Sequence, residues 1–217
     1  MPYAVSKGIR IHYEVEGDGS PLVLQFGQYF PLDIWYELNY VTTLGSDFRL
    51  ILVDARGHGD SDKLYDPEAY RLESMVSDVV AVLDDLGVEK AHYMGYSSGG
   101  LTGFGLAKLA PERLFSLIIG GMHPYDERDD RVAWRQDQIQ ALEKQTIKEF
   151  VEGLEQFILS IHLPAFSPHM RTRLLTHDLR ALIAWLRQLE QPDFESILKN
   201  ITLPCLLYAG ENDDCYA

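Results

Sequence analysis

Cysteine is scarce in this chain of 217 residues, which contains only Cys205 and Cys215. Two cysteines are too few for a disulfide framework or for a metal cluster held by thiolates. The seven histidines are scattered along the chain without metal-ligand spacing, so we expect no metal site. Both cysteines suit a reducing compartment, and we therefore expect a cytoplasmic protein that folds without covalent cross-links.

Positive charge and long apolar runs are scarce as well. The chain has 19 lysines and arginines against 33 aspartates and glutamates, a net charge of −14 that repels phosphate backbones and anionic lipids. No stretch reaches the roughly 18 uninterrupted apolar residues that a membrane span needs, and the N-terminus has no apolar signal region. The expected partner is a small molecule, not nucleic acid or a membrane.

Apolar residues are plentiful, at 46% of the chain, which is typical of one globular domain of ordinary size. Short β-rich runs alternate with longer helical patterns, and this alternation predicts an α/β fold with a mainly parallel central sheet flanked by helices. Ile9 to Val15 alternates in polarity and is predicted as an edge strand. The candidate central strands are Leu22–Phe26, Leu50–Val53, Ala91–Met94, Leu114–Ile119 and Leu203–Ala209.

A long helical stretch, from His123 to Asn200, interrupts this alternation. Apolar residues recur at helical spacing around Phe150 to Ile161 and again around Leu179 to Leu189, which predicts several helices inserted between consecutive strands. We interpret residues 123–193 as a helical lid over the carboxyl edge of the sheet, where ligands bind in open α/β folds. Residues 1–122 and 194–217 then form the core. Extra helical packing on one flank of the sheet remains the alternative.

The clearest chemical signal is the G-x-S-x-G pattern Gly95-Tyr96-Ser97-Ser98-Gly99, which falls between a predicted strand and a predicted helix. A serine on such a sharp turn is held with its hydroxyl exposed, and the helix N-terminus behind it stabilises negative charge. We therefore predict Ser97 as a nucleophile. A glycine-rich packing turn is the structural alternative.

Three further segments, in chain order, match a known pattern around this turn. Leu22 to Gly27 looks like a strand followed by an oxyanion loop, Asp54 to Ser61 is similar to a D-x-R-G-x-G-x-S turn, and Leu203 to Asp213 looks like a strand followed by a G-x-x-D turn. With these segments the sequence resembles the α/β-hydrolase superfamily over essentially its whole length. Since this superfamily hosts many chemistries, the resemblance implies the fold and leaves the substrate open.

The resemblance also implies a mechanism. Ser97 would attack a carbonyl carbon, a histidine would accept its proton, and Asp213 would orient that histidine. The backbone N–H groups of Ser98 and Gln28 would bind the oxyanion, and the chemistry requires no metal or organic cofactor. Aromatic residues near the expected pocket favour small uncharged esters or lactones as substrates. The expected pocket residues are Phe26, Gly27, Tyr29, Tyr96 and His123.

Two departures from the family pattern bear on this mechanism. Phe26 stands where the family usually has a histidine that braces the oxyanion loop by hydrogen bonding. The triad order of the family is Ser, acid, His, yet no histidine follows Asp213. His123 is the best substitute base, with pocket lining as its alternative role, and Asp126 is an alternative acid. His58 is expected to be structural or exposed, and His162, His169 and His177 are expected on the lid surface.

The plainest interpretation of the missing histidine is a C-terminally truncated hydrolase that lacks the final strand and helix of its fold. The strand at Leu203 to Ala209 would then be an exposed apolar edge, which favours a homodimer or exchange of elements between copies. A weakly active chain would follow. The alternatives are a non-catalytic ligand-binding protein and a cofactor-free perhydrolase or carbon–carbon bond hydrolase. Ser97 disfavours the aspartate-nucleophile relatives, dehalogenases and epoxide hydrolases.

Overall fold

A single mixed sheet forms the centre of the protein. The computed structural model describes residues 2–125, 129–189 and 194–211. Seven strands within these ranges hydrogen-bond in the order β1-β2-β4-β3-β5-β6-β7, and every pair from β4 to β7 is parallel, as the sequence predicted. The strands are β1 (Tyr3–Ser6), β2 (Ile9–Glu16), β3 (Ser20–Gln25), β4 (Phe48–Val53), β5 (Ala91–Tyr96), β6 (Leu114–Gly120) and β7 (Cys205–Tyr208).

One predicted edge strand is not at the edge. β2 pairs with β4 on one side and with β1 on the other, both antiparallel. The β1–β2 hairpin closes through Lys7 and Gly8, whose φ angles are 51° and 86°. Positive φ at both loop residues matches the type I′ turn that joins twisted antiparallel strands, so this short turn adds a strand outside β2.

Helices cover both faces of the sheet, and the described residues contain α1 (Asp33–Glu37), α2 (Tyr40–Leu44), α3 (Leu72–Asp85), α4 (Ser98–Leu109), α5 (Asp129–Leu142), α6 (Ile147–Ser160), α7 (Pro168–Leu174), α8 (Leu179–Gln188) and α9 (Glu195–Leu198). Local sequence explains where several of them begin. Thr146 and Glu149 form a reciprocal capping box at α6, and the Asp178 carboxylate accepts the Arg180 N–H at 2.9 Å at the start of α8. None of the described helices is both long and apolar enough to cross a bilayer.

The buried core lies in two layers, one on each side of the sheet. Successive strand residues point to opposite faces, so Val23 and Ile51 join the layer under α3 and α4. Their neighbours Leu24 and Leu52 join the other layer, which contains Trp35 of α1 and Trp185 of α8. The helices between β6 and β7 therefore contribute core as well as covering the sheet.

β7 lies at one end of the strand order and pairs with β6. All four residues of β7 are exposed, and Leu206 is 57% exposed. This matches the exposed apolar strand that the sequence predicted at this position.

Candidate active site

Two loops meet at the carboxyl edge of the sheet because their strands are parallel neighbours. β3 pairs with β5 so that Gln25 lies opposite Gly95, and the chain leaves both strands on the same side. The loop after β3 carries Gly27 and Gln28, and the turn after β5 carries Ser97. This edge is where open α/β sheets bind ligands.

Ser97 sits in a strained backbone conformation between β5 and α4. Its φ is 53° and its ψ is −120°, a region that residues with a Cβ rarely adopt. The Ser97 N–H donates to the Gly120 carbonyl at 2.8 Å, and the Leu101 N–H donates to the Ser97 carbonyl at 3.1 Å. These two hydrogen bonds fix the turn, and with it Ser97, at the carboxyl end of β5.

Glycine allows the parts of this turn to approach each other. A Cβ on Gly99 would lie 2.1 Å from the Gln25 carbonyl oxygen, and a Cβ on Gly27 would lie 2.7 Å from the Ser97 Cβ. Both contacts are far shorter than van der Waals separation. The loop after β3 can therefore lie directly against Ser97, which brings Gln28 beside the serine.

A cavity of about 550 Å³ opens next to Ser97. Its lining includes Ser97, Ser98 and Gln28, and the first turn of α4 supplies the Ser98 backbone. Most of the remaining wall comes from α5 and α6, which lie between β6 and β7. The apolar lining includes Tyr29, Phe30, Trp134, Phe150, Leu154 and Phe157, and Arg131 and Arg135 contribute charge.

Phe26, the first residue of the loop after β3, and Tyr96, the last residue of β5, are outside the described lining of the cavity. Their rings stack at 5.0 Å, and the Phe26 ring also contacts Trp35 edge-on at 5.1 Å. An aromatic layer thus supports the loop where the sequence predicted pocket wall. Phe26 offers no hydrogen-bond donor from its side chain, so whatever polar support this loop receives comes from elsewhere.

His123 also lies outside the described lining. Its ring stacks on Tyr125 at 5.9 Å, and no histidine of the described residues lines the cavity. Asp126 and Asp213, the two candidate acids, fall outside the described residues. The structure therefore brings together Ser97, Ser98, Gly27, Gln28 and Tyr29.

The expectation that His177 lies on the surface is wrong. Its Nε2 lies 2.5 Å from the Tyr29 carbonyl oxygen, and the residue is 7% exposed. It is buried because the turn between α7 and α8 folds inward onto the loop after β3. His58 is buried beside it, with ring centroids 6.3 Å apart. Burial lowers the pKa of each of these two histidines to about 4.

A second buried polar group, around Asp54, ties several loops together. Asp54 accepts the Leu32 N–H at 2.7 Å and the Asp60 N–H at 2.9 Å, and it contacts His12 Nδ1 at 2.7 Å. His12, Asp54 and Asp60 are close enough to share a metal ion. The Asp54 carboxylate already accepts these three bonds, which hold the pKa of its acid low against the effect of burial, so the cluster acts as a structural hydrogen-bond network.

Comparison with known proteins agrees with this geometry. Residues 26–185, more than half of the chain, match the family described as alpha/beta hydrolase fold. The chain therefore belongs to the α/β-hydrolase family, which confirms the resemblance seen in the sequence.

The similar proteins carry several hydrolase activities in their names. Human epoxide hydrolase 4 is 29% identical over 95% of this chain and 63% of its own length, and the alignment to mouse epoxide hydrolase 4 spans 31% of that protein. 3-Oxoadipate enol-lactonase 1 of Acinetobacter baylyi is 26% identical over 95% of this chain and 77% of its own. The solved structure of a hydrolase from Pseudomonas aeruginosa PA01 superimposes with a TM-score of 0.81 at 26% identity, covering 96% of this chain and 79% of the other.

Proposed function

We propose that this protein is a serine hydrolase that cleaves small uncharged carboxylic esters or lactones through an acyl-enzyme on Ser97. The observation that carries the proposal is the strained, half-buried Ser97, which lines an apolar cavity beside Gln28 and Ser98. The similarity to an enol-lactonase supports a carbonyl substrate.

The proposed reaction has two halves. The Ser97 oxygen attacks the carbonyl carbon while a base takes its proton, and the resulting oxyanion accepts N–H bonds from Ser98 and Gln28. The alcohol then leaves with the proton, which forms the acyl-enzyme. In the second half, water attacks the same carbon while the base takes a proton from it. The base then gives this proton to the Ser97 oxygen as the acid leaves. Asp213 is the proposed residue that orients the base.

Serine rather than aspartate at the turn decides between ester and epoxide chemistry. A serine hydroxyl that opened an epoxide would form an ether, which offers water no carbonyl carbon to attack. An acyl-enzyme, by contrast, is an ester that water can hydrolyse. We therefore assign this chain to carbonyl substrates although several similar proteins are named epoxide hydrolases.

The helices between β6 and β7 are the proposed lid. Phe150 and Leu154 of α6 and Trp134 of α5 line the cavity together with Ser97, which supports a role of these helices in shielding the serine from solvent. Residues 123–193 would form this lid, on a core of residues 1–122 and 194–217. The apolar wall and the net charge of −14 support uncharged substrates. Arg131 and Arg135 also line the cavity and would attract a carboxylate. Esters that carry a carboxylate are therefore the substrates to compare with uncharged esters.

The proposed mechanism needs a general base, and the described lining of the cavity contains no histidine to serve as one. Since no described histidine lines the cavity, we expect the 217-residue polypeptide to hydrolyse esters feebly. Disabling the serine–base unit of a related triad lowers kcat on the order of 10⁶-fold, and oxyanion stabilisation alone leaves about 10³–10⁴ over water. A His123→Ala variant tests the substitute base, because it removes activity only if His123 accepts the serine proton.

Labelling with a fluorophosphonate and sequencing of the labelled peptide test the proposal directly. The label is expected on Ser97 and absent from Ser97→Ala, whereas Ser98→Ala, with its backbone N–H intact, is expected to react. Uncharged p-nitrophenyl esters should be cleaved with a higher kcat/KM than esters bearing a carboxylate. Label on Ser98, or equal labelling of Ser97→Ala, would refute the nucleophile. Tight binding of an ester analogue without labelling would identify a binding protein instead.

A further inference from the structure

The loop after β3, which carries the proposed oxyanion donor Gln28, contains a residue with a strained backbone conformation. Tyr29 has a φ of 73°, and the Phe30 N–H reaches back toward the Gly27 carbonyl at 3.5 Å, as in a tight turn. This turn position favours glycine or asparagine because a Cβ crowds the backbone there. A tyrosine stays in such a conformation only where its surroundings hold it.

His177 supplies a direct hold on this strained residue. Its Nε2 lies 2.5 Å from the Tyr29 carbonyl oxygen, across 148 positions of sequence. A carbonyl only accepts hydrogen bonds, so Nε2 must carry the proton and donate it. Nδ1 has no hydrogen-bond partner among the described residues, which is consistent with a neutral ring whose lone pair is on Nδ1.

The position of His177 links this bond to the helices over the cavity. His177 lies in the turn between α7 and α8, and its neighbour Asp178 caps α8. The Tyr29 side chain, on the other side of the bond, packs edge-on against Phe150 of α6 at 5.0 Å. The backbone and the side chain of Tyr29 are thus both held by the inserted helices.

We propose that His177 is a positioning residue: its hydrogen bond to the Tyr29 carbonyl holds the loop so that the Gln28 N–H faces the reacting carbonyl oxygen. The inference rests on the proposed function and deepens it. It assigns to the inserted helices the hydrogen-bond support that the Phe26 side chain cannot give. The oxyanion site is then complete only while the turn between α7 and α8 is docked on the loop.

A matched pair of substitutions separates the hydrogen bond from packing. Glutamine and methionine are unbranched and similar in size, but only the glutamine amide can donate to the Tyr29 carbonyl. His169→Met is the control, because His169 also connects the inserted helices to the core, but through the Asp33 side chain of α1 at 2.7 Å and not through the Tyr29 carbonyl. All variants are made in the full natural chain.

The kinetic measurement uses p-nitrophenyl butyrate and a trifluoromethyl ketone that forms the tetrahedral adduct on serine. His177→Met is expected to lower kcat by about 10- to 100-fold, with KM changed less than about threefold, since misplacing one oxyanion donor affects the transition state. The ketone should bind more weakly by the same factor. His177→Gln and His169→Met should stay within about fivefold of the unchanged protein.

Three results would overturn the proposal: a folded His177→Met with unchanged kcat, a loss that appears only in KM, or an equal loss in His169→Met. If His177→Met does not fold, nitrogen NMR of the unchanged protein decides instead. The proposal requires the His177 ring to be neutral with its proton on Nε2. A proton on Nδ1 would refute it.

A failure of the proposed function is recognised separately. If neither esters nor fluorophosphonate react with the unchanged protein, hydrogen exchange at the Gln28 and Phe30 amides reports on the loop without turnover. Faster exchange in His177→Met than in His177→Gln would support the role of His177 in holding the loop, and only the proposed hydrolase function would be rejected. Equal exchange in the two variants would reject the hold as well.

Discussion

Mild acid should destabilise this protein because two buried histidines resist protonation in the folded state. The ordinary value of 6.5 falls to about 4 for the pKa of His58 and of His177, with burial as the largest cause. Lys63 lowers both values further and Asp54 opposes it, while the neighbouring His58 also lowers the pKa of His177. The unfolded chain therefore binds more protons than the folded protein between pH 6.5 and pH 4. Stability is full above pH 6.5 and is lost as the pH falls through this window.

The size of the effect follows from the two shifts. Each is worth about 3 kcal/mol once the pH is below about 4, at 1.36 kcal/mol per pKa unit. At pH 5 the same shifts give about 2 kcal/mol per histidine and about 4 kcal/mol for both. Since domains of this kind are stable by about 5–15 kcal/mol, the loss at pH 5 is a large part of the total.

Urea unfolding at pH 7.5, 6.0 and 5.0 measures this loss through tryptophan fluorescence. Trp185 is a suitable probe because its ring lies 5.6 Å from His58. The control is the double variant His58→Asn, His177→Gln, since these amides can replace the hydrogen bonds from Nδ1 of His58 and Nε2 of His177 without titrating. Between pH 7.5 and pH 5.0, the free energy of unfolding of this double variant should fall by about 4 kcal/mol less than that of the unchanged protein. Parallel pH profiles would refute the reasoning.

Two further predictions concern stability and association. Asp78→Ala should lower the free energy of unfolding by about 3–5 kcal/mol in urea titrations, because it leaves the Arg56 guanidinium, 2.6 Å away, buried without its charge partner. The exposed Asp84→Ala, which loses an ion pair to Arg113, should cost less than about 1 kcal/mol, and equal costs would contradict the burial argument. The exposed β7 should pair between copies, so light scattering should find concentration-dependent association that Leu206→Lys abolishes. A monomer at every concentration would count against this pairing.

The fold could be predicted because its central strands are short apolar runs that end in glycine or polar turns. Strands buried on both faces read as continuous apolar runs, and Leu50 to Val53 is such a run, buried throughout. β1 was not predicted, because a four-residue strand carries little periodicity. Only the Lys7-Gly8 pair marks its hairpin. α1 and α2 were missed for the same reason, since five residues complete little more than one turn.

The residues of the candidate site could be brought together from sequence only where they are neighbours in the chain. Ser97 and Ser98 lie within one motif, and Gly27 and Gln28 follow directly from a recognisable strand. The bond from His177 to Tyr29 joins positions 148 residues apart, and a single histidine in a turn gives no periodic signal. Phe26 and Tyr96 were predicted to line the pocket, but neither is in its described lining. The sequence could not separate the two cases, because an apolar residue near a cavity and one that lines it look alike in sequence.

The insertion between β6 and β7 has a consequence for how the chain is made. These strands are neighbours in the sheet, yet Gly120 and Cys205 are separated by all of α5 to α9. At a synthesis rate of about 5–20 residues per second, the ribosome leaves β6 without this neighbour for on the order of ten seconds. β7 must also close a long loop before its hydrogen bonds can form, which favours its late addition to the sheet. The newly made protein therefore passes through a stage in which β6 is an open apolar edge, and this is the stage at which a chaperone would protect it.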